Sequence, residues 1–144
     1  TTPAAIPCSM QEILSRKDSQ QPVLVITMAY DPAHKHSVAE IGVPLGVALK
    51  DGLSIVADSY VTPSIPFRHC SRYFCYVETV VPDETVSAMG SASAAKIRIT
   101  MDDDGKTYNV PFSLKGFSAA HDAVVQLSGQ RGSKAAPAQE APQP

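Results

Sequence analysis

Two apolar, β-branched stretches in the first third of the chain set its pattern. The clearer one, Val23–Tyr30 (VLVITMAY), is bounded by Pro22 and by Asp31-Pro32, as is typical of a β-strand that ends at a turn. Ser37–Val43 has a similar composition, and residues 31–36 between the two stretches read as a loop. The pattern therefore predicts two neighbouring strands joined by a short connection.

Shorter apolar segments predict further strands. They are Met10–Leu14, Leu53–Asp58, Phe67–Cys70 and Cys75–Val80. Residues 61–66 contain Pro63 and Pro66. This segment cannot be a central strand, because proline donates no hydrogen bond to a neighbouring strand.

The second half of the chain combines another hairpin with a short helix. Lys96–Met101 and Lys106–Phe112 flank Asp102-Asp103-Asp104-Gly105, and an Asp-Gly pair is a good hairpin signal. Pro82-Asp83-Glu84 places acidic residues before a helix predicted at Thr85–Ala88, where they favour its N-terminus.

A second helix is predicted from apolar residues that recur at helical spacing. It begins near Phe117-Ser118, and its apolar face is formed by Phe117, Ala120, Val124 and Leu127. We expect this face to pack on the sheet.

Short strands, frequent turn signals and only two short helices indicate a mainly β protein. We predict an antiparallel β-sandwich with a short helix and a C-terminal helix. Composition divides the chain into an extended leader at residues 1–7, a β-sandwich domain at residues 8–128, and a Pro/Ala/Gln-rich tail at residues 129–144. The tail has no large apolar side chain, so it cannot bury enough surface to offset its ordering entropy, and we expect it to be extended.

Composition also narrows the class of protein. Of 144 residues, 44% are hydrophobic and 18% charged, which is typical of a globular domain. The net charge is −2 with no long basic run, which argues against a nucleic-acid partner. No apolar run approaches the roughly 20 residues that span a bilayer. Residues 1–5 lack the features of a signal peptide, so we expect a mature, processed chain.

The cysteines bear on the cellular compartment. Cys70 and Cys75 are separated by four residues, and this spacing can close a small disulfide loop if the backbone turns back on itself. Disulfide bonds persist in oxidising compartments such as the periplasm. The alternative is a pair of reduced thiols in a cytosolic protein.

A pair of histidines is the first candidate for chemistry. His34 and His36 flank Lys35 and could ligate zinc or copper. We find no nearby Cys, Asp or Glu that completes a recognisable site, so exposed loop histidines are the favoured interpretation. We predict no metal site and no cofactor.

Two other candidates are also weak. The Asp102–Gly105 segment lacks the alternating ligand spacing of a calcium loop, so we interpret it as a solvated hairpin tip. His69 is adjacent to Cys70, but adjacent strand residues point to opposite faces, so the two would not act as base and nucleophile. We predict no catalytic residue.

Arginine and aromatic residues cluster around the paired cysteines. They are Arg68, Arg72, Tyr73, Phe74 and Tyr76. Because arginine and aromatic side chains are enriched at interaction hot spots, we predict that these residues bind a partner. The alternative is a half-buried strand pair with ordinary surface arginines.

Three motifs occur in a fixed order along the chain. They are Val43-Pro44-Leu45-Gly46-Val47 followed by Asp51-Gly52-Leu53, then Pro66-Phe67-Arg68-His69-Cys70 with Cys75, then Val110–Phe117 (VPFSLKGF). This ordered trio resembles the invasion-associated locus B family, small exported proteins of Gram-negative bacteria. The resemblance runs from about residue 8 to about residue 127.

The resemblance implies an exported protein, periplasmic or at the cell surface, with a part in host-cell invasion in pathogens. Together with their spacing, it predicts an intrachain disulfide between Cys70 and Cys75. In the family a cysteine near the position of Cys8 usually pairs with one further upstream. None precedes Cys8 in this sequence, so we expect it to be free, paired outside the chain, or orphaned by processing. Phe74 stands where family members usually carry glycine.

We therefore interpret the chain as a non-enzymatic exported envelope protein that acts through protein–protein binding. The alternative is an accessory subunit docked on the periplasmic face of a bacterial membrane protein complex. The Pro-rich tail favours this alternative, because such segments become ordered on a partner. The expected partner is accordingly a protein of a membrane complex or of a host surface.

Overall fold

The computed structural model describes residues 9–15, 17–18 and 22–134. The strands of these residues, in chain order, are β1 (Ser9–Ser15), β2 (Pro22–Asp31), β3 (His36–Pro44), β4 (Leu53–Ala57), β5 (Tyr60–Val61), β6 (His69–Cys70), β7 (Phe74–Val81), β8 (Ala95–Thr100) and β9 (Thr107–Phe112). The helices are α1 (Asp83–Ser91) and α2 (Phe117–Lys134), with a single 3₁₀ turn at Leu49–Asp51.

The strands form two antiparallel sheets. One has the order β1-β2-β3-β7-β6 and the other the order β5-β4-β8-β9. The prediction of a mainly β, antiparallel fold with a short helix and a C-terminal helix is confirmed. As predicted, residues 61–66 provide no central strand, because β5 pairs only with the end of β4.

The core forms where the inner faces of the sheets meet. Its least exposed side chains include Ile41, Val43 and Val77 from the five-stranded sheet and Leu53 and Ile97 from the four-stranded sheet. All five belong to one hydrophobic cluster. Burying a side chain of this size contributes roughly 1.5–3 kcal/mol, so this cluster supplies a large part of the stability.

The helix α1 is found where a short helix was predicted, but it begins at Asp83 rather than Thr85 and runs to Ser91 rather than Ala88. Pro82 occupies the N-cap position in an extended conformation, and Asp83 and Glu84 lie in the first turn, where they favour the positive end of the helix dipole. The buried Thr85 hydroxyl lies 2.7 Å from the Tyr60 hydroxyl, which ties the helix to the edge of the four-stranded sheet.

The helix α2 packs on the core through a slightly different face from the predicted one. Phe117 and Ala120 are half-buried and Val124 is 7% exposed, but Leu127 is 49% exposed and Ser128 is fully buried. The prediction was therefore wrong for Leu127. At about 100° per residue, Leu127 points about 60° to one side of Val124, whereas Ser128 lies about 40° to the other side and faces the core.

A polar contact also joins α2 to the five-stranded sheet. His121 lies on the packing face, its ring stacks on that of Phe117, and its Nε2 is hydrogen-bonded to the buried Ser37 hydroxyl at 2.8 Å. Burial lowers the pKa of His121, so the neutral ring is favoured in the folded protein.

The end of α2 differs from the predicted boundary of the tail. The helix runs to Lys134, so residues 129–134 are helical rather than extended. Extending an existing helix needs no new nucleation, which is why a segment with no large apolar side chain can continue it. The rest of the tail (residues 135–144), the leader and Cys8 lie outside the described residues, and the division into three segments stays a prediction.

None of the helices in the described part of the chain is long and apolar enough to cross a membrane.

A glycine allows the loop after β5 to approach the start of β4 closely. Leu53 and Ile65 exchange backbone hydrogen bonds of 3.0 and 2.7 Å. Gly52, just before Leu53, has φ 63° and ψ −160°, and a Cβ there would collide with the Ile65 carbonyl oxygen. Both the backbone conformation and the close approach therefore require glycine.

We predict that Gly52→Ala lowers the free energy of unfolding by at least about 2 kcal/mol, from backbone strain and the collision with Ile65. Gly105→Ala is the matched control, because Gly105 has φ 66° and no atom within 4 Å of the added methyl group. Its cost should be about 1 kcal/mol, from strain alone. Urea unfolding of both variants measures the difference, and equal costs would contradict a role for the Ile65 contact.

The revised face of α2 gives a second prediction. Val124→Ala should lower the free energy of unfolding by roughly 1–2 kcal/mol, because it removes buried methyl groups. Leu127→Ala should change it by less than about 0.5 kcal/mol, because that side chain is half exposed. Denaturant midpoints of the two variants decide the point, and a larger loss for Leu127→Ala would restore the original prediction.

Candidate functional site

The paired cysteines lie in a tight hairpin at one edge of the five-stranded sheet. β6 pairs with β7 through His69 opposite Tyr76 and Cys70 opposite Cys75. The structure contains the Cys70–Cys75 disulfide, with the sulfur atoms 2.04 Å apart. We call residues 68–76 the disulfide hairpin.

Hydrogen bonds also hold the turn of the disulfide hairpin. Ser71 N–H donates to the Phe74 carbonyl at 2.7 Å, and the Ser71 hydroxyl accepts from the backbone N–H groups of Tyr73 and Phe74 at 3.3 Å each. At the tip, Arg72 is exposed and Tyr73 is 69% exposed. Both side chains are thus presented to solvent by a turn that is closed covalently and by hydrogen bonds.

Of the other three predicted residues, Arg68 directly precedes β6, and Phe74 and Tyr76 lie on β7. Arg68 is exposed, and its Nε lies 3.3 Å from a carboxylate oxygen of Glu78 in an ion pair on β7. Phe74 and Tyr76 are half-buried, and their rings are tilted at 56° with centroids 6.1 Å apart. The predicted set therefore divides into two residues at the tip and three that also stabilise the hairpin itself.

Tyr76 connects the disulfide hairpin to the neighbouring strand β3. Its ring stacks on His69 at a centroid distance of 5.0 Å. It also lies against the backbone of Gly42 on β3, where an added Cβ would approach the ring to 2.8 Å. Gly42 therefore lets the aromatic side chain lie flat on the outer face of the sheet.

The strand register aligns Tyr76 with one residue from each of the other strands of the five-stranded sheet. Successive pairs place five residues in one line, which we call the cross-sheet row: Ile13, Val25, Gly42, Tyr76 and His69. The neighbours of Tyr76 along β7, Cys75 and Val77, are buried, so the row lies on the opposite, outer face. The cross-sheet row is mainly apolar or aromatic, a feature that only the register reveals.

The two loop histidines lie at the other end of β3 and have an acidic neighbour. Asp31, the last residue of β2, pairs directly with His36, the first residue of β3. His34 Nδ1 donates to Asp31 Oδ2 at 2.6 Å, and this hydrogen bond lowers the pKa of the Asp31 carboxyl. From the sequence we expected no nearby Cys, Asp or Glu to complete a recognisable site, but the hairpin register brings Asp31 beside the two histidines.

Geometry suited to metal binding results from this arrangement. One ligand atom from each of Asp31, His34 and His36 lies within 4.8 Å of the other two. The His34 and His36 rings are stacked, with centroids 5.6 Å apart and planes inclined at 15°. Lys35 between them has φ 57°, a left-handed conformation that turns the chain between the two rings.

In the acidic hairpin tip between β8 and β9, one carboxylate accepts hydrogen bonds from residues of the same hairpin. Asp104 accepts hydrogen bonds from the Lys106 N–H at 2.9 Å and from the Tyr108 hydroxyl at 2.8 Å. These bonds lower the pKa of the Asp104 carboxyl, and the same carboxylate raises the pKa of Tyr108. Asp104 therefore closes the turn, in keeping with the interpretation as a hairpin tip.

A cavity of about 170 Å³ lies between the sheets beside α2. Its lining is mostly apolar and includes Met10, Met28 and Met89, with Glu12 and Lys115 as its charged members. Among the residues that the structure describes, the lining contains no histidine or cysteine. In the hairpin, Cys70 is disulfide-bonded and offers no thiolate to its neighbour His69.

Comparisons with known proteins agree with this architecture. A crystal structure of invasion associated protein b from Bartonella henselae matches with a TM-score of 0.76, covering 85% of this chain and 84% of that chain. The sequences are 19% identical, so this likeness shows the fold. No curated protein sequence matches this chain. The family profile described as Invasion associated locus B (IalB) protein matches residues 1–125. Because this profile matches most of the chain, the chain belongs to the invasion-associated locus B family.

Proposed function

We propose that this chain is a non-enzymatic exported envelope protein, and that it binds a protein partner through the disulfide hairpin and the adjoining cross-sheet row. The observation that carries the proposal is the tip of the hairpin, where Arg72 and the largely exposed Tyr73 stand on a turn closed by the Cys70–Cys75 bond. The proposed setting is the periplasm or the cell surface.

The family and the disulfide together suggest an extracytoplasmic protein, since such bonds persist where the environment is oxidising. The names of the family and of the Bartonella henselae protein both refer to invasion. We therefore propose a host surface as one setting for the contact. A docked accessory subunit of a membrane complex is the alternative setting, and the same hairpin would serve it.

Rigidity of the hairpin supports its role in binding. An exposed loop must lose conformational freedom when it associates, and this loss subtracts from the affinity. Here the disulfide and the hydrogen bonds of Ser71 have already restricted the turn. Arg72 and Tyr73 can therefore anchor a partner without a large ordering cost, and arginine and tyrosine are typical anchors.

The cross-sheet row supplies the area that a hairpin tip alone lacks. Tyr76 and His69 connect the tip to Val25 and the 55%-exposed Ile13 at the far edge of the sheet. A stable interface needs about 800 Å² on each partner, which exceeds what one turn can offer. A partner that covers both the tip and the row would bury apolar and aromatic surface with a charged residue at its rim.

The test compares two double variants of the full chain. Arg72→Ala with Tyr73→Ala removes the proposed anchors. Leu49→Ala with Lys50→Ala is the matched control, because it also removes a cation beside an exposed apolar residue, Leu49 being 56% exposed. We expect the hairpin variant to recover at least about tenfold less partner in pull-downs from envelope extracts, the loss of one or two hot-spot residues. The control variant should recover as much as the unmodified protein.

Circular dichroism and the denaturation midpoint serve as folding controls for both variants. A folded hairpin variant that recovers the same proteins in the same amounts would contradict the proposed contact surface. Equal losses in both double variants would also contradict it, because they would assign binding to no particular surface.

A further inference from the structure

We propose that Asp31, His34 and His36 form a binding site for a divalent late transition metal ion, Cu²⁺ or Zn²⁺, at the β2–β3 turn. The site is separate from the disulfide hairpin and does not depend on the proposed protein contact. It rests on the local geometry of the turn, on an unpartnered histidine nitrogen, and on the chemistry of the three side chains.

The backbone places the three ligands on one side of the turn. Asp31 and His36 are paired across the hairpin, and directly paired residues of antiparallel strands carry their side chains on the same face. His34 is folded back over this pair, because Asp31 Oδ1 accepts from the backbone N–H groups of Ala33 at 3.0 Å and His34 at 3.4 Å. The ligand atoms are consequently gathered before any ion binds.

One nitrogen of His36 has no partner to satisfy it. His36 Nδ1 is buried and makes no hydrogen bond with any residue that the structure describes. A buried polar atom without a partner is costly, so native structures usually provide one. In contrast, the other partly buried histidine of the described residues, His121, is hydrogen-bonded to Ser37. Coordination of an ion within the cluster would give the His36 ring a polar partner of the kind it lacks.

The small rearrangement that coordination needs is confined to an exposed side chain. Ligands about 2.0–2.2 Å from a tetrahedral ion lie about 3.3 Å from one another. His34 Nδ1 is now 2.6 Å from Asp31 Oδ2, joined through a hydrogen, and the third ligand atom lies within 4.8 Å. The metal takes the place of that hydrogen on Nδ1, and the neutral ring then carries its hydrogen on Nε2, so the step is a change of tautomer with no net loss of a proton from the ring. The His34 side chain is 72% exposed and can adjust, whereas Asp31 is 16% exposed and held by the turn.

The donor set indicates the class of ion. Two imidazoles and one carboxylate suit Cu²⁺, Ni²⁺ and Zn²⁺, whereas Mg²⁺ and Ca²⁺ prefer oxygen ligands throughout. Among the divalent ions Cu²⁺ should bind most tightly, following the general order of stability for first-row metals. Three protein ligands leave at least one coordination position for water or for a ligand from another molecule.

The experiment titrates Cu²⁺ and Zn²⁺ into the untagged full chain by isothermal calorimetry. All proteins carry Cys8→Ser, so that its thiol cannot bind the ions. We expect one ion per chain, with Cu²⁺ tighter than Zn²⁺ and no heat from Mg²⁺. His34→Ala, His36→Ala and Asp31→Asn should each weaken binding by at least about tenfold, because losing even a group that only orients a metal ligand usually costs that much. His69→Ala, which removes a histidine from the other end of the sheet, should leave the affinity unchanged.

His34→Ala is the decisive variant, because its exposed side chain can be removed without unfolding the protein, and circular dichroism confirms this. Electron paramagnetic resonance of the Cu²⁺ complex gives an independent readout: splitting from two imidazole nitrogens is expected, falling to one in His34→Ala. An unchanged affinity and spectrum in His34→Ala would overturn the site. So would the absence of Cu²⁺ binding, or an equal loss of affinity in His69→Ala.

Discussion

The rest of the structure depends on one constraint, the burial of the inner face of β3. Other strands are hydrogen-bonded to β3 along both of its edges. β3 lies between β2 and β7, and its inner residues Ser37, Ala39, Ile41 and Val43 are all buried. A slip of one residue in the pairing would turn this inner set outward, so the core holds the register strictly. Every cross-strand neighbour of β3 is therefore determined by the packing of its opposite face.

Both candidate sites are consequences of this register. At the start of β3, the register sets His36 opposite Asp31, and near its end it sets Gly42 opposite Tyr76. Neither pair contributes side chains to the core cluster. The outer positions of a strongly buried strand are free to carry chemistry, because the inner positions alone secure the fold.

Much of the fold could be predicted from the sequence because its signals are local. The apolar, β-branched composition of residues 23–30, the prolines of residues 61–66 and the acidic start of α1 each act within a few residues. The face of α2 was harder, because whether Leu127 or Ser128 faces the core depends on how the helix is rotated against the sheets. The spacing of apolar residues defines a stripe about 100° wide and cannot show where its edge lies.

The candidate sites could be predicted only in part, for the same physical reason. The arginines and aromatics of the disulfide hairpin are close in sequence, so their clustering was visible. That Tyr76 lies on Gly42, and that Val25 and Ile13 continue the same line, depends on pairings between distant strands. Asp31 was overlooked because it ends a strand, and its proximity to His34 and His36 arises only when the loop folds back.

The antiparallel register of β3 and β7 also separates the two turns in space. His36 begins β3 near Val81, whereas Pro44 ends it beside Phe74, next to the disulfide hairpin. The strand has 9 residues and its ends are therefore separated by eight rises of about 3.3 Å, so the turns lie at opposite poles of the sheet, about 26 Å apart. A macromolecule seated at one pole would leave the other open to solvent. The two proposed sites could therefore be occupied at the same time, because a ligand at one would not obstruct a ligand at the other.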